Sequence, residues 1–299
     1  MKPTLPQSLL LVDASVYIFR AWHSLPDSLT AADGAPVNAV YGFGDCLSRM
    51  IATARPRAVA VAFDESLETS FRNELYADYK GNRESAPPEL KAQIAHCQSL
   101  AGALGATVLV SPRYEADDLI GSLAARAPEP VTIVSSDKDL AQLLRPGDIL
   151  WDYARDLRYD REAIRAKFGV DSERMRDYLG LVGDAVDNIP GVAGIGPKTA
   201  VALLAAYGDL DALYADLDGV AALPGLRGAA GVARRLADER ERAFLSRELA
   251  TIVCDAPLPP EVADLRWRPP ATAAIETWCD DLGLGGRLRG QLLRLAEAA

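Results

Sequence analysis

Carboxylates cluster behind four short apolar runs of this chain. Leu9-Leu10-Leu11-Val12 stops at Asp13, and the run at 58–63 stops at Asp64. Residues 107–110 lead into Glu115, Asp117 and Asp118, and 131–134 into Asp137 and Asp139. A further pair, Asp184 and Asp187, lies downstream. Magnesium prefers hard oxygen ligands and pairs carboxylates with substrate phosphate. Two such ions about 4 Å apart can clamp the attacking and leaving oxygens of a phosphoryl displacement, and one can lower the pKa of a bound water. Taken singly, Asp13 or Asp64 reads as a helix N-cap, Glu115-x-Asp117-Asp118 as a charged first turn, and Asp137-x-Asp139 as an ordinary turn. The joint pattern argues otherwise, because acids sharing one crevice cannot all stay ionised without cations among them.

The elements that would gather these acids follow from periodicity. Short β-branched runs, each followed by a helical pattern, predict an α/β fold with a parallel sheet. Ligands bind in the crevice outside the carboxyl ends of such strands. Helix is expected from Asp13 to about 51 with breaks near Pro26 and Gly34, from about 89 to 104, and after Tyr114. A late strand pair falls at 149–151 and 157–159. Beyond about 171 the pattern is helical, at 177–182, 198–207, 210–215 and 236–252, followed by a Pro-rich joint and a helical tail.

Two further segments suggest a polyanionic substrate. The stretch from Arg72 to Arg83 carries Lys80, Tyr76 and Tyr79 directly after Asp64. It reads as a basic cover over the crevice, its tyrosines able to stack on unpaired bases. Gly191, Gly194 and Gly196 precede Pro197 and Lys198. Closely spaced glycines before a helix expose backbone N–H groups to phosphate, whereas the simpler reading is a tight interhelical turn. Only His23 and His96 are present; His23 is a weaker candidate for substrate contact, and His96 reads as packing or surface.

The 299 residues allow one large or two modest domains, and 49% hydrophobic residues with mean hydropathy near zero exclude global disorder. No apolar run reaches the roughly 20 residues of a membrane span, and no signal-peptide core is present. Cys46, Cys97, Cys254 and Cys279 are scattered, and read as small buried hydrophobes of a reducing compartment. A net charge of −10 argues against nucleic acid until the nine named acids are set aside, which leaves −1 for the rest.

Several strings resemble the 5′–3′ exonuclease/flap endonuclease family. They are Leu11-Val12-Asp13, Phe63-Asp64, Phe71-Arg72-Asn73-Glu74-Leu75-Tyr76, Tyr79-Lys80-Gly81-Asn82-Arg83, Tyr114-Glu115-Ala116-Asp117-Asp118, Ser136-Asp137-Lys138-Asp139-Leu140, and Gly183-Asp184 through Gly196. The order holds from about residue 9 to 213, and the strings also resemble the nuclease domain at the N-terminus of bacterial DNA polymerase I. The resemblance implies a PIN-like core over 1–175, with a mainly parallel sheet and a flexible helical arch at about 66–95. A helical C-terminal domain over 176–299 would carry a helix–two-turn–helix DNA-binding element at about 178–215.

Carried over by motif, Asp13, Asp64, Glu115, Asp117 and Asp118 would form the tighter metal site. Asp137, Asp139, Asp184 and Asp187 would complete the second, with two Mg2+ ions replaceable by Mn2+. Lys80 and Arg83 would be catalytic at the scissile phosphate. Arg20, Arg72, Tyr79, Gly191, Gly194, Gly196 and Lys198 would contact DNA, with K+ held by the backbone at Val192 and Ile195.

The implied activity is structure-specific 5′ hydrolysis of DNA at flaps, nicks and overhangs, leaving a 5′-phosphate, in replication and repair. The sequence ends at Ala299 without proofreading or polymerase domains. A free-standing cytoplasmic monomer is therefore expected, with any polymerase supplied in trans. Two alternatives stay open: a DNA-junction binder with weak or no cleavage, and a PIN-type ribonuclease.

Overall fold

Every residue of the strand Leu9–Asp13 (β1) is buried, as expected for a central strand covered on both faces. The computed structural model describes residues 2–65 and 69–297, apart from the side chains at 263 and 264. The start of the expected arch, 66–68, lies outside the described residues. The other strands are Ala58–Ala62 (β2), Thr107–Leu109 (β3), Val131–Val134 (β4), Ile149–Asp152 (β5) and Leu157–Tyr159 (β6). Their order is β3-β2-β1-β4-β5-β6, parallel throughout except for β6, which runs antiparallel to β5. The chain builds outward from β1 to one side and then, from β4, to the other. This places a topological switch point beside β1, where such sheets bind ligands.

The strand alternation divides the core in two. Leu9 and Leu11 face one cluster with Leu119, Ile133 and Leu179, and that cluster continues into the C-terminal helices. Leu10 and Val12 face the other, with Tyr17, Phe43 and Trp151. The helices of the first half are Ala14–Ser24 (α1), Asn38–Ala54 (α2), Phe71–Leu75 (α3), Pro88–Ala103 (α4) and Ala116–Arg126 (α5). The rest are Arg161–Phe168 (α6), Met175–Val182 (α7), Pro197–Tyr207 (α8), Leu210–Ala215 (α9), Leu217–Ala221 (α10), Ala229–Asp238 (α11), Arg240–Ala250 (α12), Thr272–Asp281 (α13) and Gly286–Glu297 (α14). α14 returns to the first half, with Leu288 and Leu292 in the Phe43 core and Gln291 Nε2 donating to Ser48 Oγ at 2.7 Å.

Two expectations need correction. The helix expected over 236–252 is two helices, α11 and α12, meeting at Glu239 (φ −112°, ψ 27°). Glu239 leaves the helical path where its Oε2 accepts the Ala193 N–H at 2.9 Å, a tertiary bond that periodicity cannot register. Cys254, expected buried, is exposed, because it follows α12 on the surface stretch toward the Pro-rich joint; Cys97 and Cys279 are buried as expected, and all four thiols are free. No described helix is long and apolar enough to cross a membrane.

Candidate active site

The strand ends deliver the predicted acids to one place. Asp13 ends β1, Asp64 follows β2, Glu115 and Asp117 open α5, and Asp137 follows β4. These five side chains and Asp187, from the turn after α7, line one cavity of about 920 Å³. Lys80 and Arg83 line it too. Asp64 does not cap the next described helix, which Ser70 caps: its Oδ1 accepts the Ala116 N–H of α5 at 2.8 Å, its Oδ2 accepts Ser15 Oγ–H at 2.7 Å, and the residue lines the cavity. Asp13 Oδ2 accepts Ser135 Oγ–H at 2.7 Å. Asp137 Oδ1 accepts the Asp139 N–H at 2.9 Å, so the Asp-x-Asp turn is itself part of the site.

Cationic side chains stand among these acids. Lys80 Nζ donates to Glu115 Oε2 at 2.6 Å and lies 3.8 Å from Asp187 Oδ2. Lys80 adopts the left-handed conformation (φ 54°), uncommon for a side-chain-bearing residue, and its N–H is held by Asp187 O at 3.0 Å. Arg83 pairs with Asp187 Oδ1, and Lys138 with Asp184 Oδ2. Asp139 and Asp184 lie outside the cavity lining, joined by Lys138. Among the described residues, no three acidic side chains are drawn together as a ready-made ligand set.

Three predicted site residues are placed elsewhere. Arg72, expected on DNA, is 1% exposed, and its NH1 and NH2 donate to the two oxygens of Asp118 at 2.7 and 2.8 Å. Its Nε and NH2 also donate to Leu249 O and Thr251 O, at 2.8 and 3.0 Å. Asp118, expected on metal, accepts further bonds from the N–H groups of Glu115 (3.1 Å) and Val253 (2.8 Å) and does not line the cavity. Its oxygens are already engaged. Tyr79, expected to stack on a base, is 3% exposed, and its hydroxyl donates to Glu115 Oε2 at 3.1 Å. The described part of the basic segment is thus anchored from beneath by Arg72 and Tyr79.

The remaining predicted contacts lie on the surface or in the turn after α7. Arg20 on α1 and Lys198 on α8 are exposed. Gly191 and Gly194 have φ of 62° and 73°, and a Cβ on Gly191 would come within 2.4 Å of Gly183 N, so that turn requires glycine. Gly196 stands at the N-cap of α8 with open space around it, and the Val192 and Ile195 side chains are buried. Apolar lining escaped the sequence reading: Val16, Phe19 and Trp22 on α1, with Pro87 and Ile94, line the cavity, and His23, the weaker candidate for substrate contact, lines it too. The three- and four-residue spacing behind Asp13 was the available signal, since it puts these side chains on one helical face.

Burial and like charge shape the electrostatics. Burial, then Asp64, pushes the Asp13 carboxyl up to about 7. Burial, then Asp118, holds Asp117 well above the ordinary carboxylate range, and burial, then Asp137, does the same for Asp139. Burial also raises Asp137, with Asp187 adding to it. Burial acts on Glu115 in the same sense, but Lys80 and Arg72 outweigh it and hold that carboxyl below its usual value. Burial disfavours the Lys80 ammonium, yet Glu115 and Asp187 more than restore it. Asp13, Asp117 and Asp137 are thus held by burial and by like charge, whereas Glu115 is well supplied with positive charge by Lys80 and Arg72.

Comparison with known proteins accounts for this arrangement. Residues 8–169 match the family described as 5′–3′ exonuclease, N-terminal resolvase-like domain, and residues 170–273 match its C-terminal SAM fold. The chain belongs to the 5′–3′ exonuclease family. Its class is therefore that of a nuclease, a hydrolase. It is 42% identical to DNA polymerase I of Pseudomonas aeruginosa across 92% of this chain, but spans only 31% of that protein. It is 39% identical to a 5′–3′ exonuclease of Aquifex aeolicus, covering 69% of this chain and 71% of that one. A solved structure of bacteriophage T5 flap endonuclease, in a pseudo-enzyme–product complex with DNA and metal ions, shares the fold: TM-score 0.63 at 20% identity, covering 97% and 99% of the two chains.

Two outcomes follow for the exonuclease fold. Arg72→Met leaves Asp118 buried and unpaired, and should cost about 3–5 kcal/mol in urea denaturation, with part recovered in Arg72→Met/Asp118→Asn. A raised Asp13 pKa means that the folded state binds a proton the unfolded chain releases. The fold therefore loses stability from this group as pH rises from about 4 through about 7. Asp13→Asn should accordingly stabilise the metal-free protein at pH 8 and do little at pH 4, as read by chemical denaturation at both.

Proposed function

We propose that the chain is a divalent-metal-dependent, structure-specific 5′ nuclease that hydrolyses DNA phosphodiesters near single-strand/duplex junctions, leaving a 5′-phosphate, in replication and repair. One observation carries the reading: six of the expected metal-site carboxylates, from five separate loci, converge with Lys80 and Arg83 on one cavity. The donor set suits a hard cation, being all oxygen, and two of its buried oxygens, Glu115 Oε1 and Asp139 Oδ1, have no hydrogen-bond partner. The raised Asp13, Asp117 and Asp137 carboxyls are those a divalent charge would return to the ionised form. The metal ions and DNA held by the T5 flap endonuclease support the same assignment.

Asp13, Asp64, Glu115 and Asp117 would hold one ion, and Asp137, Asp139, Asp184 and Asp187 the second. Bound there, the ions supply Lewis acidity: a lowered water pKa and charge neutralisation at the phosphoryl group. The protein's own side chains do the rest. Lys80 and Arg83, now paired with Glu115 and Asp187, exchange those partners for the scissile phosphate, whose oxygens accept charge-assisted hydrogen bonds of the same kind. The apolar lining from Phe19 to Ile94 receives the unpaired base beside it. The glycine turn and Lys198 grip the duplex backbone, which positions DNA without reading its sequence. Asp118 and Arg72 act as positioning residues beneath Glu115 and Asp117.

A labelled 5′-flap duplex tests this. With Mg2+ the wild type should cleave at the junction, and Asp117→Ala should lose at least about a hundredfold in rate. Flap binding without cleavage would instead mark a junction binder, and cleavage confined to RNA a ribonuclease. Lys80→Ala should slow cleavage far more than it weakens flap binding; an equal loss in both would make Lys80 a simple phosphate contact.

A further inference from the structure

Lys138 lies between two acids of the second set and has no part in the reading above. Its Nζ hydrogen bonds to Asp184 Oδ2 and stands 3.8 Å from Asp139 Oδ1. The other Asp184 oxygen accepts the Val186 N–H at 2.8 Å, while Asp139 Oδ1 is buried with no hydrogen bond at all. One ammonium therefore serves two carboxylates from different parts of the chain. The acids are confined, at 8% and 10% side-chain exposure, whereas Lys138 is 36% exposed and has solvent to move into. Lys80 differs: it is 9% exposed and its backbone is pinned to Asp187.

We propose that Lys138 is a displaceable internal counter-ion, which competes with the second divalent cation for Asp139 and Asp184 and so sets the concentration at which that cation binds. The proposal rests on the two-metal reading. An ammonium and a small cation cannot occupy the same oxygens at once, since each needs its own contact shell there. Occupancy by metal requires Lys138 to swing out toward solvent, and its long flexible stem permits that. With the cation gone, the ammonium keeps the two carboxylates from facing each other unscreened.

Calorimetric titration of the metal-free protein with Mn2+ tests this without reference to cleavage. Wild type should show two classes of site. Lys138→Met keeps the stem and removes the charge; it should tighten the weaker class by roughly three- to tenfold and leave the other unchanged. Lys138→Arg should bind as wild type does, and Lys138→Met/Asp184→Asn should lose the gain. Lys138→Gln repeats the test should the Met variant not fold, with circular dichroism reporting the fold. Two classes in wild type with no tightening in the neutral variants would overturn the counter-ion role and leave the two-metal reading standing. Fewer than two sites in wild type would overturn both.

Discussion

Beneath the acidic cavity, the Arg72 guanidinium joins three parts of the chain that sequence separates widely. It comes from α3, binds Asp118 in α5 through two hydrogen bonds, and binds the carbonyls of Leu249 and Thr251 at the end of α12. Asp118 completes the joint by accepting the N–H groups of Glu115 and Val253. A buried pair gains little over an apolar contact, but it is costly to break by halves, so its geometry is rigidly specified. That rigidity has a use here. Glu115 and Asp117 sit on the helical turn that Asp118 holds, so these hydrogen bonds tie the floor of the cavity to the end of α12.

The same logic sorts the acids of this chain into two kinds. Asp118 has its oxygens occupied, as does Asp148, which is fully buried and accepts the Val131 N–H at 2.7 Å along with Arg145. Such carboxylates are structural. Glu115 and Asp139 each keep a buried oxygen that no hydrogen bond satisfies, and Asp13, Asp117 and Asp137 are held above their ordinary range by burial first and then by neighbouring carboxylates. A fold tolerates unsatisfied buried oxygens where something else is meant to satisfy them. The state of the oxygens, with position on the cavity or next to its lining residues, separates these acids, since Asp177 also keeps an unsatisfied buried oxygen but does not line the cavity; the sequence position of an acid does not disclose that state.

Much of the frame was legible because it rests on local pattern. The strands came from β-branched runs, and their parallel order follows from the helices between them. The convergence of Asp13, Asp64, Glu115, Asp117 and Asp137 then follows from strand direction alone. What escaped depends on tertiary partners. Arg72 and Tyr79 stand in a basic, aromatic segment, where pattern argues for the surface; burial against α5 and α12 puts them inside. The break between α11 and α12 depends on one bond from Glu239 to a turn some 46 residues away. Asp187 reaches the cavity only because its loop folds back onto Lys80, a contact that no strand periodicity contains.

The cations around the site show how one arrangement can serve two charge states. Eight acids line the cavity, Glu65 and Glu84 among them, and would repel strongly with water as their only screen. Lys80, Arg83 and Lys138 reduce that repulsion, yet they do so to different degrees of commitment. Lys80 is buried and strained into the left-handed region, so its charge stays at the cavity whatever else enters. Arg83 and Lys138 are each about one-third exposed and reach their partners from the rim. A permanent charge suits a group that must meet each incoming phosphate, and a removable one suits a place that must be cleared. Asp13, raised to about 7 by burial first and by Asp64 next, still carries like-charge repulsion beside these cations.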